Sequence, residues 1–242
     1  MGKSLVIKKA DFSTNGILAQ HAEIGWIGLS ATRLSFISSG ITLKNRSRLV
    51  IDFSTKEFVP TENDRGGYIG AVANNGHVLA LWFTAKYNTA VSPPILARGL
   101  QVVYGNTNSS RSHSLTLSSN IYDGNRHTVD VSPEGVNFDG TQYSWPDQTF
   151  VNNDRGLGTA FFYLDSANWI TSLPNDDYFT TQPDMVRIHQ VRIYDDTDEA
   201  SLVFDGVPVR KTDGTICYYD RVSRNYFTRN DGSTPVSSET TE

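Results

Sequence analysis

The sequence predicts an all-β protein whose short strands stack as two facing antiparallel layers, and three observations favour this class. Runs rich in β-branched and aromatic residues recur along the chain, as in 48–53 and 202–209. In the first run Leu49, Ile51 and Phe53 alternate with other residues, which is typical of a strand with one buried face. The 19 glycines, 11 tyrosines and 12 phenylalanines also suit many short strands joined by tight turns.

The remaining strands are predicted from the same alternation and from the turn residues between them. Residues 85–98, broken by Pro93 and Pro94, are predicted to form a loop, and so is 165–184. We predict no amphipathic helix of useful length. The further predicted strands are 4–7, 34–37, 39–43, 68–72, 78–83, 100–104, 112–117, 127–131, a hairpin of 136–138 with 142–145, 158–164, 186–193 and 216–219.

Alternation slips by one position within 186–193, between Ile188 and Val191. A slip of this kind indicates either a β-bulge or a strand that is covered on both faces. In the earlier strand His127, Val129 and Val131 share one face, and we expect His127 to be a core residue with satisfied hydrogen bonds rather than a ligand.

The C-terminal third of the chain carries an ordered series of motifs. They are Ile193-Tyr194-Asp195, then Leu202-Val203-Phe204-Asp205-Gly206-Val207-Pro208-Val209-Arg210, then Asp213-Gly214, and finally Tyr219-Asp220-Arg221-Val222-Ser223 with Tyr226-Phe227. This series, with the opening at 10–17, resembles the concanavalin A-like (laminin-G-like) jelly rolls of gut-bacterial surface and prophage proteins. The resemblance implies a two-sheet antiparallel jelly-roll sandwich, but it implies no single function because such sandwiches bind, cleave or assemble.

We expect a single jelly-roll domain over 1–230, followed by a disordered tail over 231–242 that lacks any apolar pattern. The apolar run at the N-terminus is too short for a signal peptide. Localisation therefore stays open between the cell surface, if a signal was removed, and the cytoplasm or a virion.

Charge and hydropathy exclude some partners. The 21 basic residues are outnumbered by 26 acidic ones, for a net charge of −5, and no basic stripe is present. We expect no nucleic-acid partner because phosphate neutralisation dominates such binding. No apolar run is long enough for a membrane span. Cys217 is the one cysteine, so no internal disulfide is expected, and we predict a buried, unreactive thiol.

We do not expect an enzyme. Jelly-roll glucanases carry their acids as E-x-D-x-(x)-E on one strand, and retaining hydrolysis needs two carboxyl groups about 5–5.5 Å apart. Only Glu62-Asn63-Asp64 begins that pattern, and Gly66 and Gly67 stand where the second Glu belongs. A hydrolase built from aspartate pairs is left as a divergent alternative.

A structural calcium ion is a weaker expectation, and no other cofactor is predicted. The five histidines have no zinc-type spacing. Three oxygen-rich segments could supply calcium ligands, although an acidic run is usually a solvated turn. They are 195–199, 152–154 and 175–177.

Sugar binding needs an aromatic platform beside planar hydrogen-bonding groups. The candidates lie in two loops, and for each loop tryptophan the competing interpretation is a lid over the sandwich core. The predicted ligand-binding residues are Trp169, Tyr178, Asp176, Asp177 and Asn168 in the long loop, and Trp145 after the small hairpin. Trp26 is a further loop tryptophan.

Three functions stay open. The first is a non-catalytic recognition module that binds a glycan or a protein surface through loop aromatics. The second is a structural or assembly component of a prophage tail or virion, which predicts a homo-oligomer. The third is a divergent glycoside hydrolase.

Overall fold

The computed structural model describes residues 20–28, 37–43, 46–57, 68–72, 77–88, 95–106, 113–117, 121–145, 158–161, 186–229 and 232–238. All sixteen elements of extended structure in these ranges pair antiparallel, and the described residues contain no α-helix. A single 3-10 turn, Glu199–Ser201, interrupts them. The prediction of an all-β antiparallel protein is confirmed.

The larger sheet has ten strands. Its main order is β11-β10-β9-β4-β13-β14-β15-β16, with β1 beside β14 and β2 beside β13. The strands are β1 (His21–Glu23), β2 (Ile27–Gly28), β4 (Arg48–Thr55), β9 (Arg126–Ser132), β10 (Gly135–Phe138), β11 (Thr141–Tyr143), β13 (Val186–Tyr194), β14 (Leu202–Lys211), β15 (Ile216–Asp220) and β16 (Tyr226–Phe227).

The smaller sheet has six strands in the order β3-β12-β5-β6-β7-β8. Its members are β3 (Ser38–Leu43), β5 (Tyr68–Val72), β6 (His77–Asn88), β7 (Ile95–Asn106), β8 (His113–Leu117) and β12 (Gly158–Phe161). The predicted loop at 85–98 is wrong at both ends, because β6 and β7 remain paired from Ala85 with Arg98 to Asn88 with Ile95. Continued ladder hydrogen bonding extends these strands beyond the region where side-chain alternation is legible.

One cluster of buried side chains contains residues from both sheets. Leu49, Ile51 and Phe53 of β4 belong to the same cluster as Leu81 of β6 and Leu100 of β7. The alternating residues predicted from 48–53 are therefore core residues. Burial of this apolar face is the main favourable contribution to folding.

A β-bulge accounts for the slip in strand β13. Ile188 pairs with Phe53, and Gln190 pairs with the adjacent residue of β4, Asp52, so His189 is the extra residue of the bulge. The buried His189 ring contacts Ser54 Oγ at 2.8 Å and the Gly25 carbonyl at 2.6 Å. Of the two explanations that the sequence left open, the structure shows the bulge.

Part of the predicted tail lies against the larger sheet. Gly28 N–H donates to the Val236 carbonyl at 2.7 Å, and Ser238 N–H donates to the Trp26 carbonyl at 3.2 Å. Residues 232–238, within the segment that we expected to be disordered, therefore supply acceptors and donors for the backbone of β2 and its neighbour. The predicted strand 4–7 and the predicted loop 165–184 lie outside the described residues.

Candidate functional site

A polar cleft opens on the larger sheet at its β11 edge. It has a volume of about 200 Å³, and eight residues line it. Strand positions explain why they meet: Gln142 of β11, Asn137 of β10 and Asp130 of β9 are directly paired neighbours in one row. The flanking Val129, Val131, Val136 and Phe138 belong to the buried core, so this row lies on the opposite, outer face. The lining residues, which define the polar cleft throughout, are Arg48, Asp130, Ser132, Glu134, Gly135, Asn137, Gln142 and Thr197.

Gly135 provides the space at the base of the polar cleft. Its φ angle is +147°, and a Cβ atom placed there would lie 2.5 Å from the Tyr143 carbonyl oxygen and 2.6 Å from Gln142 Nε2. Only glycine tolerates both the backbone angle and the close approach. The Gln142 carboxamide can therefore lie across the Gly135 backbone.

A tight hairpin turn sets the positions of the two carboxamides. Asp139 and Gly140 have φ angles of 48° and 83°, and they join Phe138 to Thr141 as a two-residue connection. Gly140 N–H donates to Asn137 Oδ1 at 2.9 Å, and Asn137 Nδ2 donates to Gln142 Oε1 at 3.5 Å. The second bond is long, so these two side chains can exchange it for bonds to a ligand.

A buried histidine holds this hairpin turn in place. His127 Nδ1 lies 2.7 Å from Asp139 Oδ2, and Nε2 lies 3.0 Å from Asp123 Oδ1. The ring also packs against Phe53 and Phe138, with centroid distances of 5.4 Å in both pairs. His127 is thus the satisfied core residue that its position on an apolar face predicted.

Arg48 forms the opposite wall and is fixed by several partners. Its Nε and Nη2 atoms donate to the two carboxylate oxygens of Asp130 at 2.8 and 2.7 Å, and Nη1 donates to Glu199 Oε1 at 2.6 Å. The guanidinium also lies 4.8 Å from the centre of the Tyr194 ring. The bond to Asp130 is the main reason that the pKa of Arg48 is raised, and the bond from Arg48 lowers the pKa of Glu199.

The acidic run at 195–199 is a turn held by its neighbours. Arg46 binds Asp196 through Nε at 2.9 Å and through Nη2 at 2.7 Å, and this contact holds the pKa of Asp196 down at about 2. Ser201 Oγ donates to the Asp198 carbonyl at 2.7 Å. Among the described residues, no three His, Cys, Asp or Glu side chains are placed to hold a metal ion together. The other two oxygen-rich segments lie outside that part of the chain.

The structure places only one of the six predicted ligand-binding residues. Trp145 is 5% exposed, belongs to the core cluster, and donates from Nε1 to the Ser132 carbonyl at 2.9 Å. Trp145 therefore matches the lid interpretation and not the exposed platform. The other five residues, Trp169, Tyr178, Asp176, Asp177 and Asn168, lie outside the described residues.

Two other residues that the sequence singled out, a loop tryptophan and the cysteine, are also buried. Trp26 is 8% exposed, and the Arg187 guanidinium lies 4.6 Å from its ring centre. Cys217 is fully buried, and burial raises the pKa of its thiol to about 11, so the prediction of a buried thiol is confirmed.

The sequence did not reveal the polar cleft because its residues come from three separate stretches of the chain, at 48, 130–142 and 197. The available signal was the polar face of the hairpin, where Asp130, Asn137 and Gln142 alternate with core residues. The partner Arg48 is 82 positions from Asp130, and nothing in either local sequence connects them.

The architecture defines the class of this protein, which is an all-β protein with antiparallel sheets. No protein-family model matches the chain, and no curated protein matches it. Within the described ranges, no helix has the length and apolar character that crossing a membrane requires.

Proposed function

We propose that the protein is a non-catalytic recognition module with a concanavalin A-like jelly-roll fold, and that it binds carbohydrate. The support for the fold is the pair of antiparallel sheets with a shared cluster of buried side chains, together with the C-terminal motifs. In a jelly roll the two sheets pack face to face, which leaves outer faces and loops for recognition.

The observation that carries the proposed function is the chemistry of the polar cleft. Two carboxamides, two carboxylates and two hydroxyl groups surround the glycine base. Planar amides and carboxylates can each make two directed hydrogen bonds, which suits the adjacent hydroxyls of a sugar ring. Gln142 is exposed and so can approach a ligand without moving core residues.

The same contacts argue against hydrolysis in the polar cleft. Glycoside hydrolysis needs one carboxylic acid with a raised pKa and a second carboxylate facing it. Here both oxygens of the lining residue Asp130 accept hydrogen bonds from Arg48. This carboxylate is engaged as an acceptor, which suits binding and not proton donation.

We retain the ligand-binding residues predicted from the sequence as a second part of the proposal. Trp169 and Tyr178 would supply an aromatic platform, and Asn168, Asp176 and Asp177 would supply hydrogen bonds.

Glycan binding by the full chain tests the proposal. A glycan array followed by calorimetry should identify a ligand, and Gln142→Ala should weaken its binding about tenfold because one or two hydrogen bonds are lost. Gln20→Ala is the matched control, since Gln20 is also exposed but precedes β1, and it should bind as the wild type does.

Both variants should unfold at the wild-type temperature, so a binding defect would not reflect misfolding. A folded chain that binds no glycan would overturn the proposed function, and a defined homo-oligomer in light scattering would then favour the assembly role. Glycan binding that Gln142→Ala leaves unchanged would remove the polar cleft from the proposal.

A further inference from the structure

We infer that the polar cleft selects uncharged, polyhydroxylated ligands and rejects their anionic counterparts, an inference that rests on the proposed function. The reason is the distribution of charge among its lining residues. One guanidinium, Arg48, stands beside two carboxylates, Asp130 and Glu134, so the lining carries a formal charge of −1.

Arg48 is already paired with two carboxylates. Three of its five N–H groups donate to carboxylate oxygens, two to Asp130 and one to Glu199, at 2.6 to 2.8 Å, and Nη1 also donates to the Thr197 carbonyl at 3.4 Å. Its positive charge is therefore offset before a ligand arrives. An anionic ligand that approached Arg48 would also lie beside these carboxylates, which adds a repulsive contact.

The surroundings add to the negative field. Glu199 lies on the far side of Arg48, and its lowered pKa keeps it ionised at neutral pH. Asp195, Asp196 and Asp198 lie in the same turn, where Arg46 pairs with Asp196. A ligand carboxylate or sulfate in the cleft would therefore meet like charge from Asp130 and Glu134 of the lining and from Glu199 beside Arg48.

Uncharged groups supply the remaining hydrogen bonds. The carboxamides of Asn137 and Gln142 each offer both a donor and an acceptor, and Ser132 and Thr197 add hydroxyl groups. A sugar hydroxyl can donate to Asp130 or Glu134 and accept from an amide. A carboxylate ligand can only accept, so it leaves the acidic side of the cleft without a donor.

The size of the polar cleft suits one sugar unit. Its volume of about 200 Å³ is below the roughly 300–1,000 Å³ of pockets that hold drug-sized ligands. We therefore assign the polar cleft to a single neutral monosaccharide residue at the end or side of a longer glycan.

The test is an array on which each neutral hexose residue is printed beside the uronic acid of the same configuration, followed by calorimetry with the full chain. We expect the neutral member of a bound pair to bind about tenfold more tightly, and the difference to narrow as salt increases, because exposed charges are screened. Equal binding of both members would overturn the inference while leaving the proposed function intact. Preference for the uronic acid would overturn it as well.

A charge-neutral variant gives a second, independent measurement. Glu134→Gln keeps the shape of the side chain and removes one negative charge, so we expect the affinity for the uronic acid to rise about two- to fivefold relative to the affinity for the neutral sugar. Glu23→Gln is the control, since it changes the net charge of the chain equally but lies in β1 and pairs with Arg221. Equal gains in both variants would indicate a general charge effect and overturn the assignment to the cleft. A folded chain that binds neither member would refute the proposed function and this inference together.

Discussion

Replacing Gly135 with alanine should be far more damaging than the same change at Gly140. At both positions φ is positive, +147° and +83°, so a side chain adds backbone strain. A left-handed conformation costs about 1–2 kcal/mol for a residue other than glycine. At Gly140 that is the whole cost, because no atom lies within 4 Å of the new Cβ.

At Gly135 a steric cost is added. The new Cβ would meet the Tyr143 carbonyl at 2.5 Å and Gln142 Nε2 at 2.6 Å, and the first of these is backbone that moves only if β11 shifts. Overpacking of this kind costs typically about 1–3 kcal/mol. We therefore expect a free energy of unfolding lower by about 2–5 kcal/mol for Gly135→Ala and by about 1–2 kcal/mol for Gly140→Ala.

Urea denaturation measures this difference directly, with thermal unfolding in support. For a chain of this size, 3 kcal/mol corresponds to a lower Tm by roughly 6–12 °C. If the two variants lose the same stability, the close approach of Gly135 to β11 has no energetic consequence. The account of the base of the polar cleft would then be wrong.

Two further predictions concern titration. The pKa of Asp196 is about 2 because Arg46 and the Thr197 amide bind its carboxylate, and in Arg46→Met it should rise towards 3.8, as measured by NMR of the carboxyl carbon. The stabilising contribution of Asp196 is present above pH 4 and is lost as the pH falls towards 2. An unchanged pKa in the variant would contradict this contact. Burial raises the pKa of Cys217 to about 11, so its thiol should not react with a thiol reagent at pH 8 until urea unfolds the chain. Rapid reaction of the native protein would show instead that the thiol is accessible. Because the pKa is raised in the folded state, the contribution of Cys217 to stability is present below pH 9 and is lost towards pH 11.

Local sequence pattern predicted much of the larger sheet. Alternation at Leu49, Ile51 and Phe53 identifies core positions of β4, and the Asp139-Gly140 pair identifies the hairpin turn. These features depend only on neighbours along the chain. They are therefore legible before any tertiary contact is known.

The site could not be predicted in the same way. Tryptophan residues in loops suggested a binding platform, but Trp145 fills the core beneath the end of β9. A buried lid and an exposed platform have the same local sequence, because the difference lies in what the fold places over the ring. The pairing of Arg48 with Asp130 and Glu199 depends on strand order, which local sequence does not determine.

The bulge at His189 makes one position of β13 dispensable to the pairing pattern. Removing this residue would make Ile188 and Gln190 consecutive, and their partners Phe53 and Asp52 are already consecutive. Every flanking side chain would keep its present side, inward or outward. Loss of a residue elsewhere in β13 would instead invert one flank of the strand. Deletion of His189 from this central strand is therefore compatible with the same fold, although the contacts of its ring to Ser54 and Gly25 would be lost.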